Sequence, residues 1–254
     1  MLEFLLVWVL VGSLAQLIDG ALGMAYGVSS SAVLVSIGVY PALASASVHT
    51  AEIFITFASG TSHFKLGNVR RDIIKFLLIP GILGGVAGAY ICSTVSGEPL
   101  RVVVGSILLV MGIIILWRFS LKRTLHFRKE RPSTRMLGLL GYIAAFLDAL
   151  GGGGWGPIAT TTLVANKVEP SKAIGSVNFA EFFVTLSETI TFLILIGPER
   201  FSWEIILGLL VGGLICAPIA AFGCKKIPQR ILGILVGGSI TILSIRMLLE
   251  FFKV

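Results

Sequence analysis

Apolar runs separated by short polar or glycine-rich breaks make up most of this chain, and ten of them stand out. Five lie in the first half, at roughly residues 3–20, 28–39, 42–63, 73–96 and 101–119. Five lie in the second, at roughly 135–149, 157–168, 171–196, 203–223 and 229–252. Several exceed the ~18 apolar residues that read as a membrane-crossing helix. The second run of each half is too short to cross, because about 12 residues of helix rise ~18 Å against a hydrocarbon core of ~30 Å. Each short run follows a glycine-rich break, Gly20–Gly27 in one half and Gly151–Pro157 in the other. Irregular backbone at membrane depth persists only beside protein or a water-filled cavity. The two breaks are therefore where a solute is expected.

The halves repeat one another. Laid over Asp148–Thr185 at an offset of 129 without a gap, Asp19–Thr56 matches at 14 of 38 positions. The matches include Asp19/Asp148, Gly23/Gly152, Gly27/Gly156, Pro41/Pro170, Ser47/Ser176, Ala51/Ala180, Glu52/Glu181 and Thr56/Thr185. Chance matching of Ala, Val and Leu is easy in membrane helices; matched acids, prolines and glycines are not. A duplicated apolar unit of this kind is the sequence signature of a secondary transporter. The expected plan is repeat 1 over residues 1–121, a basic cytoplasmic linker over 122–134 and repeat 2 over 135–254, together one transport domain.

Basic residues give the orientation. Loop 63–75 carries Lys65, Arg70, Arg71 and Lys75 and is expected on the cytoplasmic side. Its mate, Gly197–Trp203, carries one Arg and one Glu. The stretch 97–101 carries Glu98 and Arg101, while its mate Lys225–Arg230 carries three cations and no acid. The basic bias changes sides between equivalent loops. Each half then crosses an odd number of times, and the halves are inverted. Five crossings per half place both termini outside, and the Lys122–Arg135 linker, Lys167 and Lys172 inside. Three crossings, with each break re-entrant, keep the inversion. The expected fold class is an all-α polytopic membrane protein of two inverted-topology repeats, each of about five helical elements.

Composition agrees. Mean hydropathy is +0.97, and 56 % of residues are hydrophobic while 13 % are charged. A soluble domain of this length carries far more charge. The formal net charge of +7 sits between apolar runs, so it reads as topology signal and lipid-headgroup contact rather than nucleic-acid binding. The N-terminus has no basic region and no small-residue cleavage site, which argues against a removable signal peptide. Cys92, Cys216 and Cys224 have no metal-like spacing and read as packing residues. No cofactor, metal set, nucleophile elbow or phosphate loop is expected.

The candidate chemistry lies at the breaks. Short helices follow them, with Ser29, Ser30 and Ser31 at the start of one and Thr160, Thr161 and Thr162 near the start of the other. Helix N-termini attract anions through exposed N–H groups and the helix dipole, and glycines let backbone approach a ligand. Gly23, Gly27, Gly152, Gly153, Gly154 and Gly156 are thus candidate substrate contacts. The same glycines also suit close helix packing, and the hydroxyls also suit bonds to their own helices. Tyr26 and Trp155 share one repeat position, as gates or as anchors of their loops.

Ionisable residues at membrane depth are functional candidates by default. Glu52 and Glu181 lie in long apolar runs, with His49 and Asn178 three residues before them on the same face. A carboxylate beside an anion is either protonated when the anion binds, which couples transport to protons, or a structural acceptor. His49 is the sharper proton candidate, being replaced by Asn178 in the other half. Asp19 and Asp148 end the first helices. There they bind a cation or proton, or they accept from loop N–H groups and hold each break in shape. Arg118 and Arg246 lie towards helix ends, where long side chains snorkel. No buried Lys or Arg clamp is visible, which points to a small anion of low charge.

These residues resemble the TauE/SafE family of sulfite and organosulfonate exporters, also called the toluene-sulfonate uptake permease family. The likeness rests on Asp19–Gly27 with Pro41 and Glu52, on Asp148–Pro157 with Pro170 and Glu181, and on the two-half layout of the whole chain. The resemblance implies an inner-membrane carrier, an exporter of sulfite or related sulfonates linked to the proton gradient. The partners it implies are a small anionic substrate, membrane lipids and protons; a homo-oligomer is a further expectation. The first break is poorer in glycine than the second, a departure that bears on substrate. Three rivals stand beside this reading: an anion channel, a cation or metal transporter using Asp19, Asp148, Glu52 and Glu181 as ligands, and an intramembrane enzyme.

Overall fold

The computed structural model describes residues 2–95, 98–120, 132–223 and 229–252. The linker from Lys122 to Arg131, Cys224 and the Lys225–Pro228 stretch, on which part of the orientation argument rests, lie outside the described residues. The described chain is helical, in the order α1 (Leu2–Leu22), α2 (Tyr26–Ser36), α3 (Pro41–Lys65), α4 (Arg71–Thr94) and α5 (Glu98–Ser120), then α6 (Thr134–Gly151), α7 (Gly156–Ala165), α8 (Pro170–Ile196), α9 (Trp203–Gly223) and α10 (Gln229–Phe252). α7 opens as a π-helical turn, Gly156–Thr160, and continues as an α-helical turn, Thr161–Ala165.

Local sequence sets these limits. Pro41 and Pro170 open α3 and α8 at the first turn, where a missing N–H costs no helix bond, and Tyr40 and Glu169 before them have β-like backbone torsions. Ser133 caps α6 by accepting from Met136 N at 3.2 Å. Gly23 and Gly152, at equivalent repeat positions, stop α1 and α6 with φ of 68° and 70°.

The surface is that of a membrane protein. Leu10, Leu14, Ile79, Leu83, Ile194 and Leu235 are each more than half exposed, while His49, Ser176, Thr185 and Glu188 are buried. Water would not tolerate that distribution; lipid does. Among the described residues, five helices are long and apolar enough to cross a membrane: Arg71–Thr94, Pro99–Ser120, Thr134–Gly151, Pro170–Ile196 and Arg230–Leu249.

The packing partners exchange when each helix is replaced by its repeat mate. α1 packs on α9 as α6 packs on α4. α3 packs on α9 as α8 packs on α4, and α2 touches α10 as α7 touches α5. α3 and α8 are each other's mates and pack together, as do α5 and α10. Along α3, Phe57 meets Phe182, Ser59 meets Asn178, and the following Arg70 meets Ser176, so the two mates run antiparallel. Along α5, Gly105 meets Met247, Gly112 meets Thr241 and Phe119 meets Gly233, again antiparallel. At one end of the bundle Lys172 Nζ donates to Gly67 O at 2.7 Å, which brings a cation of the second half beside the basic loop of the first.

Glycines let these helices touch backbone to backbone. A methyl on Gly84 would collide with Tyr142 O, and one on Gly212 with Val9 O. These contacts belong to the mated helix pairs α4·α6 and α1·α9. Gly84→Ala and Gly212→Ala are each expected to destabilise the protein by about 1–3 kcal/mol through overpacking. Thermal unfolding in detergent measures this, and similar losses for both test the equivalence of the two helix pairs.

Candidate functional site

The two breaks cross. A methyl on Gly153 would strike Val28 N and Gly27 C, so the second break lies against the start of α2. A methyl on Gly27 would lie 2.9 Å from Glu52 Oε1 and 3.0 Å from Gly152 O. At Gly152, Gly153 and Gly27 a side chain is therefore excluded by space, and the positive φ of Gly152 and Gly153 excludes it by backbone as well. Ser31 Oγ donates to Gly152 O at 2.5 Å and Ser45 Oγ to Ala149 O at 2.6 Å, tying the first half to the second break.

Each break is held by the aspartate before it. Asp148 Oδ1 accepts from Gly154 N and from Trp155 N, the latter at 3.0 Å. Asp19 Oδ1 accepts from the matching group, Tyr26 N, at 3.4 Å. Both carboxylates thus sit at the N-terminal ends of short helices, where the helix dipole favours negative charge. The aromatic pair fixes the next residue. Tyr26 Oη donates to Leu209 O at 2.9 Å, and Trp155 Nε1 to Val177 O at 3.1 Å.

A polar cavity opens where the breaks meet. It is lined from the first half by Asp19, Tyr26, Gly27, Glu52, Thr56 and Ser59, and from the second by Asp148, Gly153, Gly154, Gly156, Asn178 and Glu181. Its free volume is about 20 Å³, room for a water or so. Thr56 and Thr185, at equivalent positions, return their hydroxyls to the carbonyls of Glu52 and Glu181 at 2.7 and 2.8 Å. Both helices therefore present their glutamate to the cavity with the neighbouring hydroxyl already engaged.

Comparison with known proteins settles what scaffold this is. The family described as "Sulfite exporter TauE/SafE" matches residues 8–247. The chain belongs to the TauE/SafE family. One relative is 43 % identical over 250 residues, covering 97 % of this chain and 83 % of the other: "Probable membrane transporter protein YtnM" of Bacillus subtilis (strain 168). No solved structure matches. The chain is therefore a membrane-embedded transporter protein of the TauE/SafE type.

Several residues of this TauE/SafE chain that the sequence points to lie away from the cavity. Ser29 lines an apolar cleft between α1, α2 and α10. Ser30 and Thr160 are buried with no side-chain hydrogen-bond partner among the described residues, and Ser31 bonds Gly152 O instead. Thr161 accepts from Arg118 Nη1 at 3.0 Å, and the same nitrogen lies 3.3 Å from Met24 Sδ in the first break. Gly23 packs against Ile174, and Trp155 sits in the apolar cluster that α4 of the first half forms with α6, α7 and α8.

Sequence reasoning missed Glu188. It is buried on α8, seven residues and two helical turns after Glu181, and lies 2.9 Å from His49 Nε2. His49 also faces Asp148 Oδ2 at 3.4 Å. These three groups lie within 4.8 Å of one another, a buried imidazole between two carboxyls. The available signal was an acid in an apolar helix at helical spacing from a second acid; the repeat comparison hid it, because its mate is Ser59.

Asp148 holds two N–H groups and Asp19 one longer bond. Replacing Asp148 by Ala is therefore expected to cost about 1–3 kcal/mol, more than Asp19→Ala, because buried N–H groups lose their acceptor. Comparative unfolding of the two variants in detergent checks the order. Ala25 holds φ of 97°, a left-handed conformation that suits glycine. Ala25→Gly is expected to raise stability by roughly 0.5–1 kcal/mol in the same assay.

Proposed function

We propose that this chain is a secondary carrier for small sulfur-containing anions, sulfite or an organosulfonate, and that it binds them where the two breaks cross. The cavity carries this reading, because backbone from both halves and both short-helix N-termini converge on it. Helix N-termini favour negative charge, and Asp19 and Asp148 already occupy such positions as internal anions. The family description supports the sulfite class and the direction, export.

The cavity lining holds Asp19, Glu52, Asp148 and Glu181 and no Lys or Arg. A second negative charge placed among buried carboxylates is repelled by several kcal/mol. An anion therefore enters when Glu52 and Glu181 carry protons, and transport is proton-linked. Glu52 and Glu181 are the matched pair that faces it. In this reading the halves are inverted copies, with the basic end in the cytoplasm, both termini outside and the inner membrane around them; the antiparallel contacts of α3 and α8 support it. Rocking of one half against the other opens the small cavity to each side in turn. The chain then works by binding and movement, without catalysis.

A second reading keeps the cavity and fills it with a cation, since four acids line it. Protein in liposomes separates the two. Sulfite uptake is expected to saturate and to show counterflow, which a channel does not. Gly27→Val, which drives methyls into Glu52 and Gly152, is expected to lower that flux more than tenfold with normal expression. Glu52→Gln and Glu181→Gln are expected to change the number of protons moved per sulfite. Divalent-cation flux without sulfite or sulfonate flux sinks the anion reading.

A further inference from the structure

The two copies differ beside the cavity, and the difference is chemical. His49 faces Glu188 in one copy, at 2.9 Å. At the same offset of 129, Asn178 faces Ser59 in the other, with Asn178 Nδ2 donating to Ser59 Oγ at 2.8 Å. The same two positions thus make one contact across α3 and α8 in each direction. One contact is neutral at any pH; the other joins an imidazole and a carboxyl.

The hydrogen bonds around His49 fix its ring. Nδ1 lies 2.7 Å from Ser45 O. A carbonyl oxygen can only accept, so Nδ1 carries hydrogen and donates. Ser45 is held in turn by its hydroxyl, which donates to Ala149 O. Its repeat mate is Ile174, so the second copy has no such support. Nε2 then faces two carboxyl groups, Glu188 Oε2 at 2.9 Å and Asp148 Oδ2 at 3.4 Å. A bare lone pair there would oppose two carboxylates in a buried site. At least one proton must lie among Nε2, Glu188 and Asp148.

Glu188 is placed to take that proton. It is 0 % exposed; Oε2 lies 2.9 Å from His49 Nε2 without completing a hydrogen bond, and among the described residues nothing bonds Oε1. α4 presents Gly85 at that oxygen, and a methyl there would lie 2.6 Å from it. The other titratable groups that face it are His49 and Glu52 on α3, Asp148 on α6 and Glu181 on α8 itself, and the Cys92 thiol on α4 faces His49. Asp148 belongs to both neighbourhoods. Its Oδ2 faces His49, its Oδ1 holds the second break, and the residue lines the cavity.

We propose that His49 and Glu188 form a one-sided proton site of the carrier, in which one proton passes between His49 Nε2 and a Glu188 carboxyl oxygen and reaches the cavity through Asp148. In the transfer the Nε2–H bond breaks and an O–H bond forms on Glu188; the histidinium becomes neutral and the carboxylate becomes a neutral acid. The mate pair Asn178–Ser59 binds no proton, so this contact contributes one proton, rather than two, to each cycle. This rests on the proton-linked reading of the cavity but specifies a residue outside its lining.

Two measurements on the purified full-length protein test it. Infrared difference spectra across a pH jump, with no substrate present, are expected to show a buried carboxyl band that is lost in Glu188→Gln and altered in His49→Asn. The double variant with His49→Asn and Glu188→Ser copies the neutral pair of the other half. It is expected to fold, as that pair does at Asn178–Ser59, and to lose the band. In liposomes with sulfite as the probe, the proton-to-sulfite ratio is expected to fall by about one, relative to the parent, in both Glu188 variants. A band that persists in a folded Glu188→Gln protein overturns the proposal. So does an unchanged ratio, or a stoichiometric divalent metal retained by the protein and abolished by Glu188→Gln. A Glu188-dependent band in a protein that moves no sulfite supports the proton site and instead removes the anion reading.

Discussion

Every peptide group at bilayer depth must find its partner inside the protein, and this constraint governs the centre of the molecule. Two helices are interrupted there, and the interruption frees N–H groups that lipid cannot solvate. Asp148 takes up two of them and Asp19 one. The first half returns Ser31 and Ser45 hydroxyls to carbonyls at and just before the second break. The breaks are therefore irregular backbone held by the protein, and the support itself brings carboxylates to the middle of an apolar bundle. Polar chemistry at the centre follows from satisfying the backbone.

Close packing has a similar origin. Glycines at the helix contacts and at the crossing breaks bring backbones together where a methyl would not fit. Association of helices in lipid gains nothing from burying apolar surface, so contact area and polar bonds must hold it. The exchange of partners between α1·α9 and α6·α4 shows one such solution used twice. The same exchange gives the cavity two sets of walls with the same acids at the same places.

Much of this was legible in the sequence. The ten runs match ten helices, and the short runs at 28–39 and 157–168 are the observed α2 and α7. Hydropathy and matched Pro, Gly and acidic positions are strong signals because lipid leaves few alternatives. Side-chain direction was less legible. Ser29 and Thr161 follow the breaks in sequence, yet one opens to an apolar cleft and the other meets Arg118. A short helix has every face represented within four residues, so adjacency to a break does not choose the face. Glu188 escaped for a different reason. Comparing the copies finds what they share, and Glu188 matters because its mate is Ser59.

The antiparallel mates α3·α8 and α5·α10 have one more consequence. Each half presents faces that its counterpart covers, as two subunits do in a symmetric dimer. Were the subunits separate and identical, every substitution would appear on both sides of the axis. Joined in one polypeptide, the copies hold a fixed one-to-one ratio and are free to diverge. Histidine and glutamate can then face each other once, with asparagine and serine in the reciprocal places, and a scaffold of near-equal parts acquires a direction.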